Sequence, residues 1–134
     1  MGARILVIED NPANRMLVDY LLRAQGYEPL LVDNGADGVA LASEHRPDLI
    51  LLDIRMPGMD GYAVAAAVRE QAELRSTKIV ALTASAMLGD RERIAAAGFD
   101  GYIQKPIDPE RFLSQVEAYL PVWEHAIQPK AERR

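Results

Sequence analysis

The sequence predicts an α/β fold: a parallel five-stranded sheet sandwiched between two layers of helices. Three observations lead there. Short apolar runs alternate with longer segments of helical period through most of the 134 residues, the pattern of strands joined by helical crossovers. The clearest run, Asp48–Asp53 (DLILLD), is apolar at consecutive central positions, as a strand covered on both faces requires. Glycine, proline or a short polar capping residue also stands at most boundaries between the runs.

Arg4–Glu9 (RILVIE) reads as the first strand, bounded by the polar turn Glu9-Asp10-Asn11. Asn11 suits an N-cap and Pro12 the first helical position. Leu17, Leu21 and Ala24 recur at helical spacing, and Gly26 marks the stop. Glu28–Val32 is the second strand, and a helix runs from Asn34-Gly35 to about His45, closed by Pro47. After Asp48–Asp53 come the loop Arg55–Gly61 and an alanine-rich helix from about Tyr62 to Gln71. Lys78–Leu82 (KIVAL) forms the fourth strand and leads into Thr83-Ala84-Ser85. A helix around Asp90–Ala97 ends at Gly98, and Gly101–Ile103 is a short fifth strand with Lys105-Pro106 directly behind it. Asp108 is expected to cap the last helix and Pro109 to open it, with Phe112, Leu113, Val116 and Leu120 as its buried stripe.

Right-handed crossovers and five βα units favour the flavodoxin-like strand order 2-1-3-4-5. Residues 1–120 are read as one domain, and residues 121–134, which include Trp123, as a tail outside the core. Met1 directly before the first strand, with no output domain after Leu120, makes a stand-alone protein the expectation.

Composition narrows the chemistry. There is no cysteine, and His45 and His125 are the two histidines, both expected to face solvent. A metal here would need oxygen ligands, which favours Mg²⁺, Mn²⁺ or Ca²⁺. The N-terminus has no signal-peptide character, and the longest apolar run, Leu49–Leu52, is far too short to span a bilayer. A cytoplasmic protein without membrane contact is expected. The net charge of −5 argues against broad nucleic-acid binding, which needs a basic face.

In an open α/β sheet, ligands bind beyond the carboxyl ends of the strands. Those ends carry Glu9-Asp10, Asp53, Thr83 and, after the fifth strand, Lys105, so all are expected at one edge, with Asp10 and Asp53 adjacent. Crowded carboxylates repel one another unless a cation intervenes. Asp10 and Asp53 are the expected direct ligands, Glu9 a direct or water-mediated one, and the backbone carbonyl of Arg55 completes the protein's share. Such a site suits phosphoryl transfer, which depends on positioning and charge neutralisation. Asp53 would be the nucleophile, giving an acyl phosphate. Lys105 would pair with one phosphoryl oxygen, and the Thr83 hydroxyl and Ala84 N–H with another. The Lys105-Pro106 bond is expected to be strained or cis, aiming the ammonium inward.

Taken singly, each residue has a plainer reading: Asp10 as part of a capping turn, Asp53 as a loop acid, Thr83 as a turn hydroxyl, Lys105 as a solvated lysine. Together in register with the strands, Glu9-Asp10, Asp53 with Met56-Pro57-Gly58-Met59-Asp60-Gly61 behind it, Thr83-Ala84 and Lys105-Pro106 resemble the response-regulator receiver (CheY-like) family. The resemblance runs from about Arg4 to Leu120 and leans toward stand-alone single-domain regulators of the DivK kind. It implies Mg²⁺ (or Mn²⁺) dependence and phosphorylation of Asp53 by a histidine kinase or histidine phosphotransfer protein. It implies a switch in which Thr83 moves toward the phosphoryl group and Tyr102, otherwise a core-packing residue, rotates inward. The surface of the fourth helix, fifth strand and fifth helix would then change for a downstream protein target, and could support a homodimer. The protein would be a phosphoacceptor that promotes only its own phosphorylation and dephosphorylation.

Two positions depart from the usual pattern. Glu9 stands where aspartate is frequent, which favours water-mediated ligation. Arg55 and Ser85 occupy variable positions that tune the lifetime of the acyl phosphate. Among alternatives, a haloacid dehalogenase-type phosphatase lacks its second aspartate two residues after the nucleophile. A flavodoxin-like cofactor binder would not present carboxylates to a phosphate. A docking-only receiver does not need the intact acidic set, whereas a receiver cut from a hybrid histidine kinase would share all of these residues.

Overall fold

Strands this apolar need cover on both faces, and the computed structural model, which describes residues 3–120, supplies it. The strands are β1 (Ile5–Ile8), β2 (Leu30–Val32), β3 (Leu49–Asp53), β4 (Lys78–Thr83) and β5 (Gly101–Gln104). The helices are α1 (Pro12–Ala24), α2 (Gly35–His45), α3 (Gly61–Arg69), α4 (Leu88–Ala96) and α5 (Phe112–Glu117), with a single 3-10 turn at Ala72–Leu74. All pairings are parallel, in the order β2-β1-β3-β4-β5, as expected.

Alternation along the strands divides the core. Val7, Leu51 and Leu82 join Val18, Leu22, Phe112 and Val116 on the α1/α5 face. Leu6, Ile50, Leu52 and Ile79 join Ala42, Val64, Val68 and Ile94 on the face of α2, α3 and α4. β1 and β3 are buried along their whole length, so burial on both faces fixes their register.

The helix starts follow capping chemistry. Asn11, Asn34 and Asp60 each accept the N–H three residues on, at 3.0, 2.8 and 2.9 Å. Gly26 adopts φ +93° behind α1, the left-handed stop that glycine makes without strain. The end of α2 is different: Arg46 takes the left-handed conformation (φ 49°) ahead of Pro47.

Four local expectations are corrected. In α1, Val18 and Leu22 are the buried pair, Leu17 and Leu21 flank them half-buried, and Ala24 is exposed; the row turned to the sheet lies one position beyond the one the leucine spacing marks. α3 begins at Gly61 rather than Tyr62 because Asp60 caps it, and it ends at Arg69. α4 begins at Leu88 rather than Asp90. α5 is regular only from Phe112. Residues 109–111 form a turn in which the Asp108 carboxylate accepts the Glu110 N–H at 3.0 Å and its carbonyl accepts those of Arg111 and Phe112. Phe112, Val116 and Leu120 are buried and Leu113 packs half-buried beside them. The His45 side chain is 38% exposed, and its carbonyl accepts from Arg4 at 2.6 Å. Trp123, His125 and the tail lie outside the described residues.

One glycine ties fold to site. A Cβ on Gly61 would fall 2.6 Å from the Asp53 carbonyl oxygen and 2.7 Å from the Ile54 Cα, backbone atoms that cannot step aside. Gly89, in α4, has open space around it. Gly61→Ala is expected to destabilise the fold by about 1–3 kcal/mol, read as a lower urea midpoint at unchanged slope. Gly89→Ala is expected to stabilise it by about 0.4–1 kcal/mol.

Candidate functional site

The carboxyl ends of β1, β3, β4 and β5 bring the chemistry together. Glu9 and Asp10 follow β1, Asp53 and Thr83 end β3 and β4, and Lys105 follows β5. Its N–H donates to the Thr83 carbonyl at 2.7 Å, which fixes the lysine beside β4. The Lys105-Pro106 peptide is cis.

One carboxylate oxygen from each of Glu9, Asp10 and Asp53 lies within 4.8 Å of the others. Glu9 is fully buried and Asp53 nearly so, while Asp10 is half-buried at the rim. Lys105 Nζ stands 3.1 Å from both Glu9 Oε1 and Asp53 Oδ1. Toward Glu9 it is an ion pair without hydrogen-bond alignment, which leaves buried Oε1 otherwise unpartnered. Glu9 Oε2 accepts the Asn11 N–H at 3.1 Å. Asp53 Oδ1 also accepts the Arg55 N–H at 3.2 Å, whereas Oδ2 takes no hydrogen bond from the described residues. The acids line a cleft of about 220 Å³ with Asn14, Thr83, Ala84 and Lys105 on its walls.

Three carboxylates face one ammonium. A like-charge pair 4 Å apart costs about 4 kcal/mol at an effective dielectric near 20, so a single lysine does not balance the cluster. The titration of the groups reflects this. Contact with the Asp53 carboxylate, then burial, raises the Asp10 carboxyl above its usual value. Burial raises Asp53 and Glu9 adds to the rise, against the pull of Asp10 and Lys105. Burial alone would lower Lys105, but the carboxylates of Glu9 and Asp53 outweigh it and hold the ammonium above its ordinary value. All the available donors are hard oxygens, one of them a buried carboxylate oxygen without a hydrogen bond. They fit a divalent cation of the Mg²⁺ or Mn²⁺ type.

Thr83 and Ala84 line the cleft, but the Thr83 hydroxyl is engaged elsewhere. The Thr83 hydroxyl donates to the Ser85 carbonyl at 3.0 Å and accepts the Ser85 N–H at 3.2 Å. Ser85 in turn donates to Asp90. Ala84 is exposed, and Tyr102 is half-buried against the α2/α3/α4 core. Two neighbours escaped the sequence reading. Asn14 lines the cleft, and Arg15 Nη1 donates to the Glu9 carbonyl at 2.9 Å and lies 3.5 Å from that of Asp10. A polar pair one turn into a helix that starts beside the acids was the available signal.

The chain is similar to known proteins over most of its length. Residues 5–117 match the response regulator receiver domain family. The polar-differentiation response regulator DivK of Brucella anthropi is 42% identical over 120 residues, 90% of this chain and 98% of that protein; DivK of Brucella ovis is 41% identical over the same shares. Among solved structures, the Vibrio cholerae chemotaxis protein CheY4 superposes with a TM-score of 0.85 at 31% identity, covering 90% of this chain and all of that one. The receiver domain of the Pseudomonas aeruginosa sensor histidine kinase PA1611, which holds a magnesium ion in its active-site cleft, superposes at 0.81 with 38% identity, covering 89% and 98%.

The raised aspartates give a signed expectation. Without a cation, the folded chain binds their protons more tightly than the unfolded chain. Stability from this source is therefore greatest at low pH and falls as pH rises from 3.8 through the raised values. The Lys105 contribution runs later: it is complete below 10.5 and is lost above it. A cation must displace the aspartate protons. Mg²⁺ affinity is expected to climb with pH across the carboxyl window, with proton release seen by calorimetry in two buffers of different ionisation enthalpy. A flat profile would contradict the shared acid site.

Proposed function

The chain belongs to the response regulator receiver domain family, and from that premise we propose that Asp53 accepts a phosphoryl group from a histidine kinase or histidine phosphotransfer protein. The observation that carries the reading is the pairing of a crowded acid cluster with one half-satisfied carboxylate, Asp53, whose Oδ1 is held by Lys105 and the Arg55 N–H while Oδ2 accepts no N–H from the described residues.

Asp53 Oδ2 attacks phosphorus in line, the P–N bond of the phosphohistidine breaks, and its electron pair returns to the imidazole, which takes up a proton. An acyl phosphate on Asp53 results. Asp10, Asp53, the Arg55 backbone carbonyl and Glu9, directly or through water, would hold Mg²⁺ (or Mn²⁺), which supplies neutralising charge to the transferring oxygens. Lys105 needs only a small shift from Asp53 Oδ1 to meet a phosphoryl oxygen. The Thr83 hydroxyl meets another by turning away from the Ser85 carbonyl, and the Ala84 N–H assists. Tyr102 follows inward as Thr83 moves, and the face of α4, β5 and α5 is thereby altered for a downstream protein target or a second copy.

The protein acts in this reading as a phosphoacceptor switch, assisting its own phosphorylation and dephosphorylation rather than turning over other substrates. Its setting is cytoplasmic and its partners are proteins. The net charge of −5 is poorly suited to nucleic acid, and no helix of the described residues is long and apolar enough to cross a membrane. A match to 98% of the length of DivK favours the stand-alone form over a receiver of a hybrid kinase. That form takes residues 1–120 as the domain and 121–134 as a tail.

A small-molecule phosphodonor with Mg²⁺ is expected to add one phosphoryl group by intact mass. Asp53→Asn is expected to abolish the addition, and EDTA to suppress it in the parent. Labelling of Asp53→Asn at the parental level would overturn the assignment.

A further inference from the structure

The acidic pair is presented at the place where the sheet stops supporting it. β1 pairs with β3 only as far as Ile8 and Leu52. The Glu9 N–H still reaches the Val32 carbonyl at 3.1 Å, but no main-chain N–H of the described residues donates to the carbonyl of Glu9 or of Asp10. A part-buried carbonyl left unpaired is costly, and here two would lie behind a cluster of negative side chains. Arg15, on the first turn of α1, meets them: Nη1 donates to the Glu9 carbonyl at 2.9 Å and approaches that of Asp10 at 3.5 Å. The same residue is anchored by its own N–H to the Asn11 carbonyl at 2.9 Å. Asn11 in turn binds Glu9 Oε2 through its N–H and caps α1 through its side chain.

These bonds close a ring from residue 9 to residue 15. Within it Glu9 is held at three points: its N–H by β2, its carbonyl by Arg15 and its carboxylate by Asn11. Asp10 has no such side-chain anchor, so its backbone is set by the residues on either side and by the guanidinium behind it. The guanidinium engages the main-chain carbonyls of the acidic pair rather than their carboxylates.

We infer that Arg15 is a positioning residue. By gripping the backbone of the acidic pair it holds the Glu9 and Asp10 carboxylates toward Asp53, and so sets how tightly the cluster binds a divalent cation. This rests on the reading of the cluster as a cation site. Lysine keeps the charge but offers a mobile point donor in place of a planar fork, so charge and geometry can be separated.

The test uses the full chain and Mn²⁺ as probe, with free Mn²⁺ counted by its EPR signal and folding followed by circular dichroism. Arg15→Gln is expected to weaken Mn²⁺ binding by about ten- to a hundredfold, the usual effect of losing a residue that orients metal ligands, with the folded spectrum retained. Arg15→Lys is expected to recover only part of the loss. Saturating Mn²⁺ should restore the parental rate of Asp53 labelling, since the nucleophile is untouched. Parental Mn²⁺ affinity in folded Arg15→Gln would overturn the inference. So would parental affinity in Arg15→Lys, which also decides the matter if the glutamine variant does not fold. A parent chain that binds no Mn²⁺ would instead sink the cation site itself.

Discussion

The constraint on which the rest depends is electrostatic: Glu9, Asp10 and Asp53 are held within 4.8 Å of one another with Lys105 as the one ammonium of the described residues paired to them. No flexible loop would keep such a cluster together, because the groups would separate and hydrate. It persists because each acid leaves the end of a strand that is locked elsewhere. β1 and β3 are wholly buried, and sliding either by one residue would send each side chain into the core on the opposite face of the sheet. Hydrophobic burial in the sheet thus holds an arrangement that its own charges oppose, and the unrelieved charge is what makes the site receptive to a proton, a cation or, in the proposed reaction, an electrophilic phosphoryl group.

The parts proposed to move lie where that lock is weakest. α4 buries only Ile94 among its nine residues and starts without a side-chain cap, and Met87 and Leu88 at its entrance are exposed. It is held instead by the Arg93 guanidinium 4.3 Å from the Tyr62 ring centre and by Tyr62 packed edge-on against Phe99. Few buried apolar contacts mean a low local cost of displacement. This weakly held helix starts three residues after Ser85, so in the proposed switch a hydroxyl that exchanges Ser85 for a new acceptor acts on an element with little burial to resist. β5, beside it, carries Tyr102 half-buried, poised between core and solvent.

The strands were legible because consecutive apolar positions report two-sided burial, and the site was legible because the acids, Thr83 and Lys105 each stand immediately beyond such a run. What escaped was set by contacts that leave no local pattern. Val18 and Leu22 rather than Leu17 and Leu21 form the centre of the α1 interface because the docking angle of the helix, not its period, chooses the innermost row. The turn at 109–111 depends on the Asp108 carbonyl accepting two N–H groups at once. Thr83 is tied to Ser85, and Arg15 to two carbonyls, through main-chain acceptors that every residue possesses and that no sequence motif marks.

Glu9 is committed at both ends of its carboxylate: Oε1 stands 3.1 Å from Lys105 Nζ, and Oε2 is occupied by the Asn11 N–H. Oε2 is therefore hydrogen-bonded and Oε1 ion-paired, without a hydrogen bond, before any cation arrives. Direct ligation by Glu9 would set the cation against the Lys105 ammonium at Oε1 or displace the Asn11 N–H from Oε2. Ligation through water requires neither. In the proposed reading the glutamate thus takes a supporting position, with Asp10 and Asp53 closest to the cation and Lys105 kept in place by a partner that the phosphoryl group does not need to displace.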